Sequence, residues 1–261
     1  MKTFITLVLL GLFPAFVSAQ DFKYSPKSAS KVKVGTVAGD ITIESHSGKE
    51  IIFSGDKVGQ DKDDNDSKEG LQLINGSGIQ DNTGLGVNIT ENDGVVVIRG
   101  VSQSKHGNLK VLIPEKMNLA VASKGWLASD IKIIGFKSEV EVKSEYASVV
   151  LNNVTGPVVL NVTYGKVKAV FDKVNQEKPI SMVATYGDLN VTLPADTKAD
   201  LQLESSYGNI YTDFQVAIEK STNDEDLEPI KAKDVTGKIN GGGVKIHLES
   251  PYQNVYLRKK K

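Results

Sequence analysis

"ATYGDLNVTLP" (Ala184–Pro194) and "SSYGNIYTDF" (Ser205–Phe214) each carry a Tyr-Gly pair, then Asp or Asn, then an aliphatic residue. In a strand, side chains alternate between faces, so residues sharing a face share odd or even numbering. Met182, Ala184 and Tyr186 are even, whereas Leu189, Val191 and Leu193 are odd. Leu201, Leu203, Ser205 and Tyr207 are odd, whereas Ile210, Thr212 and Phe214 are even. The apolar phase therefore flips across Gly187-Asp188 and again across Gly208-Asn209.

The flip recurs at Tyr146, Tyr164 and Tyr252, and with the aromatic replaced at Gly39-Asp40 and Gly107-Asn108. "SKGWLASDIKI" (Ser123–Ile133) is a degenerate member. A flip across two residues predicts a bend, with both flanking strands facing one core. Glycine would supply a left-handed or bulged backbone, and Asp or Asn would bond its own main chain. A tight hairpin is the competing account and an antiparallel β-sandwich the competing fold, but hairpins need no aromatic before each turn. Tyr146, Tyr164, Tyr186 and Tyr207 follow one another at 18, 22 and 21 residues, a periodicity that marks repeat arrays. The expected fold is all-β, a parallel β-solenoid whose rungs cannot bury their inner faces alone but do so when stacked. In it the four tyrosines form an inward ladder, and Asp188, Asn209 and Asn254 align at the next corner position, where side-chain amides can bond between rungs. The polar stretches near 55–70 and 221–234 read as loops ejected from rungs, and the terminal "YLRKKK" as a charged cap on the last edge.

The N-terminus, "MKTFITLVLLGLFPAFVSAQ", has a basic Lys2, an apolar run from Phe4 to Val17 and small residues at Ser18 and Ala19. That pattern predicts a secretory signal peptide over 1–19, a lead over 20–30, and one repeat domain over 31–261. No later run is apolar enough for a membrane span. The chain has no cysteine, which excludes disulfides, thiol nucleophiles and cysteine-ligated metal. A net charge of −1 gives no field for nucleic acid. The composition and leader point to export in a bacterium, to the periplasm or cell surface. The sequons at Asn88, Asn153, Asn161 and Asn190 then read as ordinary strand residues.

The stretch "YGDLNVTLP…YGNIYTDF…GGGVKIHLESPYQNVYLRKK" resembles the bacterial exported "putative adhesin" family, known by recurring Gly-Asp/Asn-aliphatic corners and a Gly-rich C-terminal strand. Gln253 stands where that family commonly has Gly. The resemblance spans about Val34 to the C-terminus and is clearest from Ser144. It implies a β-helix-like repeat fold in the envelope or at the surface, and it brings no catalytic residue.

The residues themselves offer little chemistry. Asp61, Asp63, Asn65, Ser67 and Glu69 mimic a calcium loop, but its sixth and twelfth positions hold Asp66 and Gln72 rather than Gly and Glu. The three histidines, His46, His106 and His247, show no paired spacing, and zinc would need carboxylates from distant rungs. Asp40, Asp130 and Asp188 recur at bends, where turn chemistry accounts for them; a glycan-active enzyme would need two facing carboxylates. No catalytic, cofactor or metal residue is assigned. The reading is an exported non-catalytic binding module, adhesin-like, with a glycan, cell-wall or host-surface ligand met by outward Thr163, Lys166, Lys168 and Asn190. A structural envelope protein is the second class and a β-helix enzyme the third.

Overall fold

The computed structural model describes residues 21–55, 71–103, 106–218 and 233–261, with 106–108 and 233 described by backbone alone. The expected signal peptide, the Asp61–Glu69 cluster and most of the expected 221–234 loop lie outside these residues.

Alternating β-branched and polar residues form strands throughout, and no helix occurs among the described residues. The first strands are β1 (Phe22–Tyr24), β2 (Lys31–Val34), β3 (Gly39–His46), β4 (Ile51–Ser54), β5 (Val87–Asn92), β6 (Val95–Gly100) and β7 (His106–Pro114). The middle of the chain supplies β8 (Asn118–Ser123), β9 (Ala128–Ile134), β10 (Val140–Ser144), β11 (Ser148–Val154), β12 (Val158–Val162), β13 (Val167–Phe171), β14 (Ile180–Ala184) and β15 (Leu189–Leu193). The last are β16 (Ala199–Ser205), β17 (Ile210–Thr212), β18 (Ala217–Ile218), β19 (Lys233–Ile239), β20 (Val244–Glu249) and β21 (Val255–Lys259).

They build two large mixed sheets, ordered β1-β4-β7-β3-β9-β11-β13-β15-β21-β17 and β18-β19-β16-β20-β14-β12-β10-β8-β2-β6-β5. Across each Tyr-type corner the chain leaves one sheet and enters the other, as from β12 to β13 or β14 to β15. Each such pair forms a tier. Pairing between tiers is parallel, for example Val142↔Leu160 and Ala169↔Val191. Among these strands, antiparallel pairing is confined to the two ends, at β1–β4, β4–β7 and β5–β6, and at β16–β19 and β18–β19. These end strands cover edges that an all-parallel stack would leave open. Inward residues of both sheets, such as Val142, Leu160 and Met182 against Val149, Ala169 and Val191, belong to one buried cluster.

Tier order departs from chain order at both ends. β2–β3 lies between β8–β9 and β6–β7, and β20–β21 lies between β14–β15 and β16–β17. The terminal "YLRKKK" therefore caps nothing: β21 is an interior strand, hydrogen-bonded to β15 and β17. The cause is the return of β19, which runs antiparallel to β16 and delivers the chain back inside the stack.

The corners differ from expectation in two respects. First, the tyrosines face outward. Val162 is buried, Thr163 half-buried, Tyr164 exposed and Gly165 buried, so the phase flips one step earlier than the sequence suggests. The ring leaves the core and the glycine takes the inward place. Second, the expected left-handed, bulged backbone is found at Gly39, with φ 88° and a register shift beside it, but Gly165, Gly187 and Gly208 are absent from the positive-φ residues. Their need is space: a Cβ would meet Ala147 O at 2.4 Å, Gly165 O at 2.0 Å and Gln253 O at 1.9 Å respectively. Each glycine lets the backbone of one tier pass against the next.

Candidate functional site

The corner row is built by the pitch of the tiers. Parallel strands repeat at about 4.8 Å, and a ring at the same corner position of each tier must fall at that spacing. Tyr146, Tyr164, Tyr186, Tyr252 and Tyr207 stack in that order, with centroids 5.0, 5.0, 4.6 and 5.2 Å apart and planes within 20°. Tyr252 stands between Tyr186 and Tyr207 because β20–β21 inserts there. The rings contact one another with their faces, which leaves their edges partly open to solvent. Exposure runs from 44% at Tyr186 to 77% at Tyr207. Trp126, at the corner between β8 and β9 of the neighbouring tier, is a further exposed aromatic, 75% open, outside the stacked row. The Tyr186 phenol is held above its ordinary value of 10.0, first by Tyr252, whose ionisation would set two negative charges in contact, then by lost hydration and by Tyr164.

Beneath the ladder a polar ladder holds the corners in register. Asp188 Oδ1 accepts from the Asn254 backbone N–H at 3.2 Å and from Asn254 Nδ2 at 3.3 Å, and Asn254 Oδ1 accepts from the Asn209 N–H at 3.0 Å. The expected alignment of these three is present. Buried serines close the inner side: Ser144 Oγ donates to Ala147 O, Ser205 Oγ to Gln253 O and Ser250 Oγ to Gly187 O, at 2.9 to 3.0 Å.

On the outer face of the first sheet, Lys168 pairs with Asn190, Asn190 with Tyr256, and Tyr256 with Tyr211. Two of the outward residues named from the sequence thus join one row, which ends in a stacked Tyr211–Tyr256 pair 5.1 Å apart with Arg258 over Tyr256. Thr163 and Lys166 flank Tyr164 at the corner itself. The second sheet's outer face gathers acid near the same corner: Glu204 is opposite both Glu249 and Asp234. Asp234 is raised above its ordinary value of 3.8, chiefly by lost hydration and then by the Glu204 charge.

The other candidates have structural partners. His46 Nε2 meets Glu50 O at 2.8 Å and its Nδ1 accepts from the Gly48 N–H at 3.2 Å, which closes a turn. Asp40 Oδ1 accepts from the Asp130 backbone N–H at 3.1 Å. The His106 side chain lies outside the described residues. Shallow depressions among the described residues lie away from the tyrosine corner, such as one of about 330 Å³ lined by Lys27, Lys49 and Met117 and one of about 450 Å³ lined by Asp172, Thr197 and Lys198.

No family model matches the chain, and no curated protein matches it. Among solved structures it is similar to a putative cell adhesion protein from Clostridium sporogenes, at 11% identity and a TM-score of 0.43, over 92% of this chain and 99% of that one. A putative adhesin from Bacteroides fragilis is similar at 13% identity and a TM-score of 0.37, over 92% and 96%. No helix among the described residues is long and apolar enough to cross a membrane.

Proposed function

We propose that the tiers are rungs of a β-solenoid and that the chain is an exported, non-catalytic, adhesin-like binding module, with the tyrosine corner as its contact surface. Parallel strands are ordinarily covered on both faces and read as continuous apolar runs. Here the strands are parallel yet alternate buried and open, as β10 and β12 do, and successive strands change sheet. A solenoid satisfies all three features at once.

The observation that carries the binding role is the row of five exposed, mutually stacked phenols. A ladder serving stability alone gains more by facing inward, since each buried aromatic removes about 150–250 Å² from water. Held outward, the row presents rigid apolar edges and a comb of hydroxyls that donate and accept at a repeat near 5 Å. Such a surface suits an extended, hydroxyl-rich polymer such as a glycan, with Tyr207 and Tyr146 at the two ends of the stack. Surface aromatic patches of this kind mark interaction sites.

The test is a glycan array together with immobilised matrix proteins, probed with wild type, W126S and Y207S. Tyr207 stacks on Tyr252 alone and Trp126 is largely exposed outside the stack, so folding is retained and checked by melting. Binding by wild type and a loss of about tenfold in either variant, the effect of a contact worth 1–2 kcal/mol, is expected. Absence of wild-type binding on both surfaces, or equal binding by all three proteins, overturns the reading.

A further inference from the structure

On the outer face of the second sheet, strands β16 and β20 bring together Glu204, His247 and Glu249, each half-buried, with one ligand atom apiece within 4.8 Å of the others. His247 Nε2 lies 3.3 Å from Glu204 Oε1 and 3.9 Å from Glu249 Oε2. An imidazole beside two carboxylates is ordinarily a protonated ring hydrogen-bonded to both. That is not the geometry here. Nε2 is shut off from solvent, yet it makes no hydrogen bond, so the nearby carboxylate oxygens stand off its N–H axis. In a tetrahedral zinc complex, with bonds of about 2.0–2.1 Å, neighbouring donor atoms are about 3.3 Å apart, which is the separation of Nε2 from Glu204 Oε1, while Glu249 Oε2 at 3.9 Å would close in on a bound ion.

The ring's other nitrogen supports this assignment. His247 Nδ1 faces Ser181 Oγ at 3.5 Å, from the neighbouring strand β14. With its proton at Nδ1, toward that hydroxyl, the ring would turn its Nε2 lone pair to the carboxylate side, the outer support that metal-bound histidines commonly have. The charge balance points the same way. Asp234, Glu204 and Glu249 stand directly opposite one another across β19, β16 and β20, where like charges destabilise a sheet. The neighbour beyond Glu249 is the uncharged Val183. Gln202 Nε2 donates to Glu204 Oε1 at 2.6 Å, which orients that carboxylate but adds no charge.

The geometry points to a binding site for one divalent first-row transition ion, of the zinc class, with His247 Nε2, Glu204 and Glu249 as ligands and water completing the shell. The imidazole selects against calcium and magnesium, which take oxygen ligands. Glu204 and Glu249 lie three residues ahead of Tyr207 and Tyr252 on the same tiers, so a bound ion would stand at the flank of the tyrosine corner. The site holds whatever that corner binds.

The experiment is isothermal titration of the purified full chain with Zn²⁺ at neutral pH, paired with melting. One ion per chain with a Kd below about 100 μM is expected, with a rise in melting temperature that grows with Zn²⁺ concentration. H247A should abolish this uptake while melting normally without metal. S181A should weaken it about tenfold, the effect of losing an outer partner. E249Q serves as the ligand variant if H247A fails to fold, and it too should lose the ion. No uptake at 100 μM Zn²⁺, uptake unchanged in H247A or E249Q, or a preference for Ca²⁺ that survives H247A would each overturn the site.

Discussion

Tyr186 is stacked on both faces, by Tyr164 at 5.0 Å and Tyr252 at 4.6 Å, yet 44% of its surface remains open. Those two facts set opposite limits on what the ring contributes. A fully buried aromatic costs about 3–5 kcal/mol on truncation, whereas each stacked ring pair contributes about 0.5–1.5 kcal/mol. Tyr186→Ala is therefore expected to cost about 1–3 kcal/mol in a chemical melt, because it removes the stacking on both ring faces and opens little cavity. A cost of 4 kcal/mol or more would show that the ring supports the core. Glu91 is a second residue whose effect can be read from its partners. Its carboxylate accepts from the Ser28 N–H at 3.0 Å, the Lys27 N–H at 2.9 Å and the Tyr24 hydroxyl at 2.9 Å, and these hold it below its ordinary value of 4.5. A depressed folded-state value means stability present above the unfolded value and lost as pH falls through the folded one. E91Q should be less stable than wild type at pH 7, and the gap should narrow as pH falls below 4.5; a gap that does not change with pH would show that charge is not the cause. Residue identity alone revealed that the tyrosines recur, because parity is visible in a string. It concealed their direction, because Val162 and Tyr164 have the same parity although the bend at Thr163 sends one inward and the other out. The His247 cluster was hidden for another reason: Glu204 comes from a different tier, and only the strand register brings it alongside.

At the scale of the corner, the question is what fixes the recurrence of glycine. Left-handed backbone would make Asn a fair substitute, but Gly165, Gly187 and Gly208 are not in that region. Close approach between tiers is the constraint, and it depends on position in the stack. Ala147 tolerates a Cβ where Gly165 does not, and Gln253 keeps a side chain by standing exposed rather than buried. A methyl at Gly187 would meet Gly165 O, a backbone atom that cannot swing aside. Gly187→Ala should therefore destabilise by about 1–3 kcal/mol, the range for overpacking, while Gly76→Ala, which meets nothing within 4 Å, should leave the melt unchanged. Equal melts for the two variants would remove close approach as the reason for the motif. This is also why the motif was readable as a corner before its mechanism was: a tight approach and a left-handed turn select the same residue and leave the same letter in the sequence.

Over the whole molecule, the order of tiers decides how stability is distributed. A stack assembled in chain order loses only an end when its last segment is removed. Here the last segment is interior: β20 bonds to β14 and β16, and β21 to β15 and β17. No sequence pattern announces this, because inward alternation in β20 and β21 is the same whether the tier is terminal or inserted. Val244, Ile246, Leu248, Val255 and Leu257 are all buried there. At about 1.5–3 kcal/mol for each side chain taken from water, the tier supplies about 10 kcal/mol, comparable with the total stability of a typical domain. Truncation before Val244 should then unfold more than it deletes. Hydrogen exchange should show protection lost across β16–β17, which no longer have a tier beneath them, while β8–β15 stay protected by their own neighbours. Retained protection in β16–β17 after truncation would mean that the two flanking tiers close on each other, and that the inserted tier is an addition to the stack rather than the joint that holds its C-terminal end.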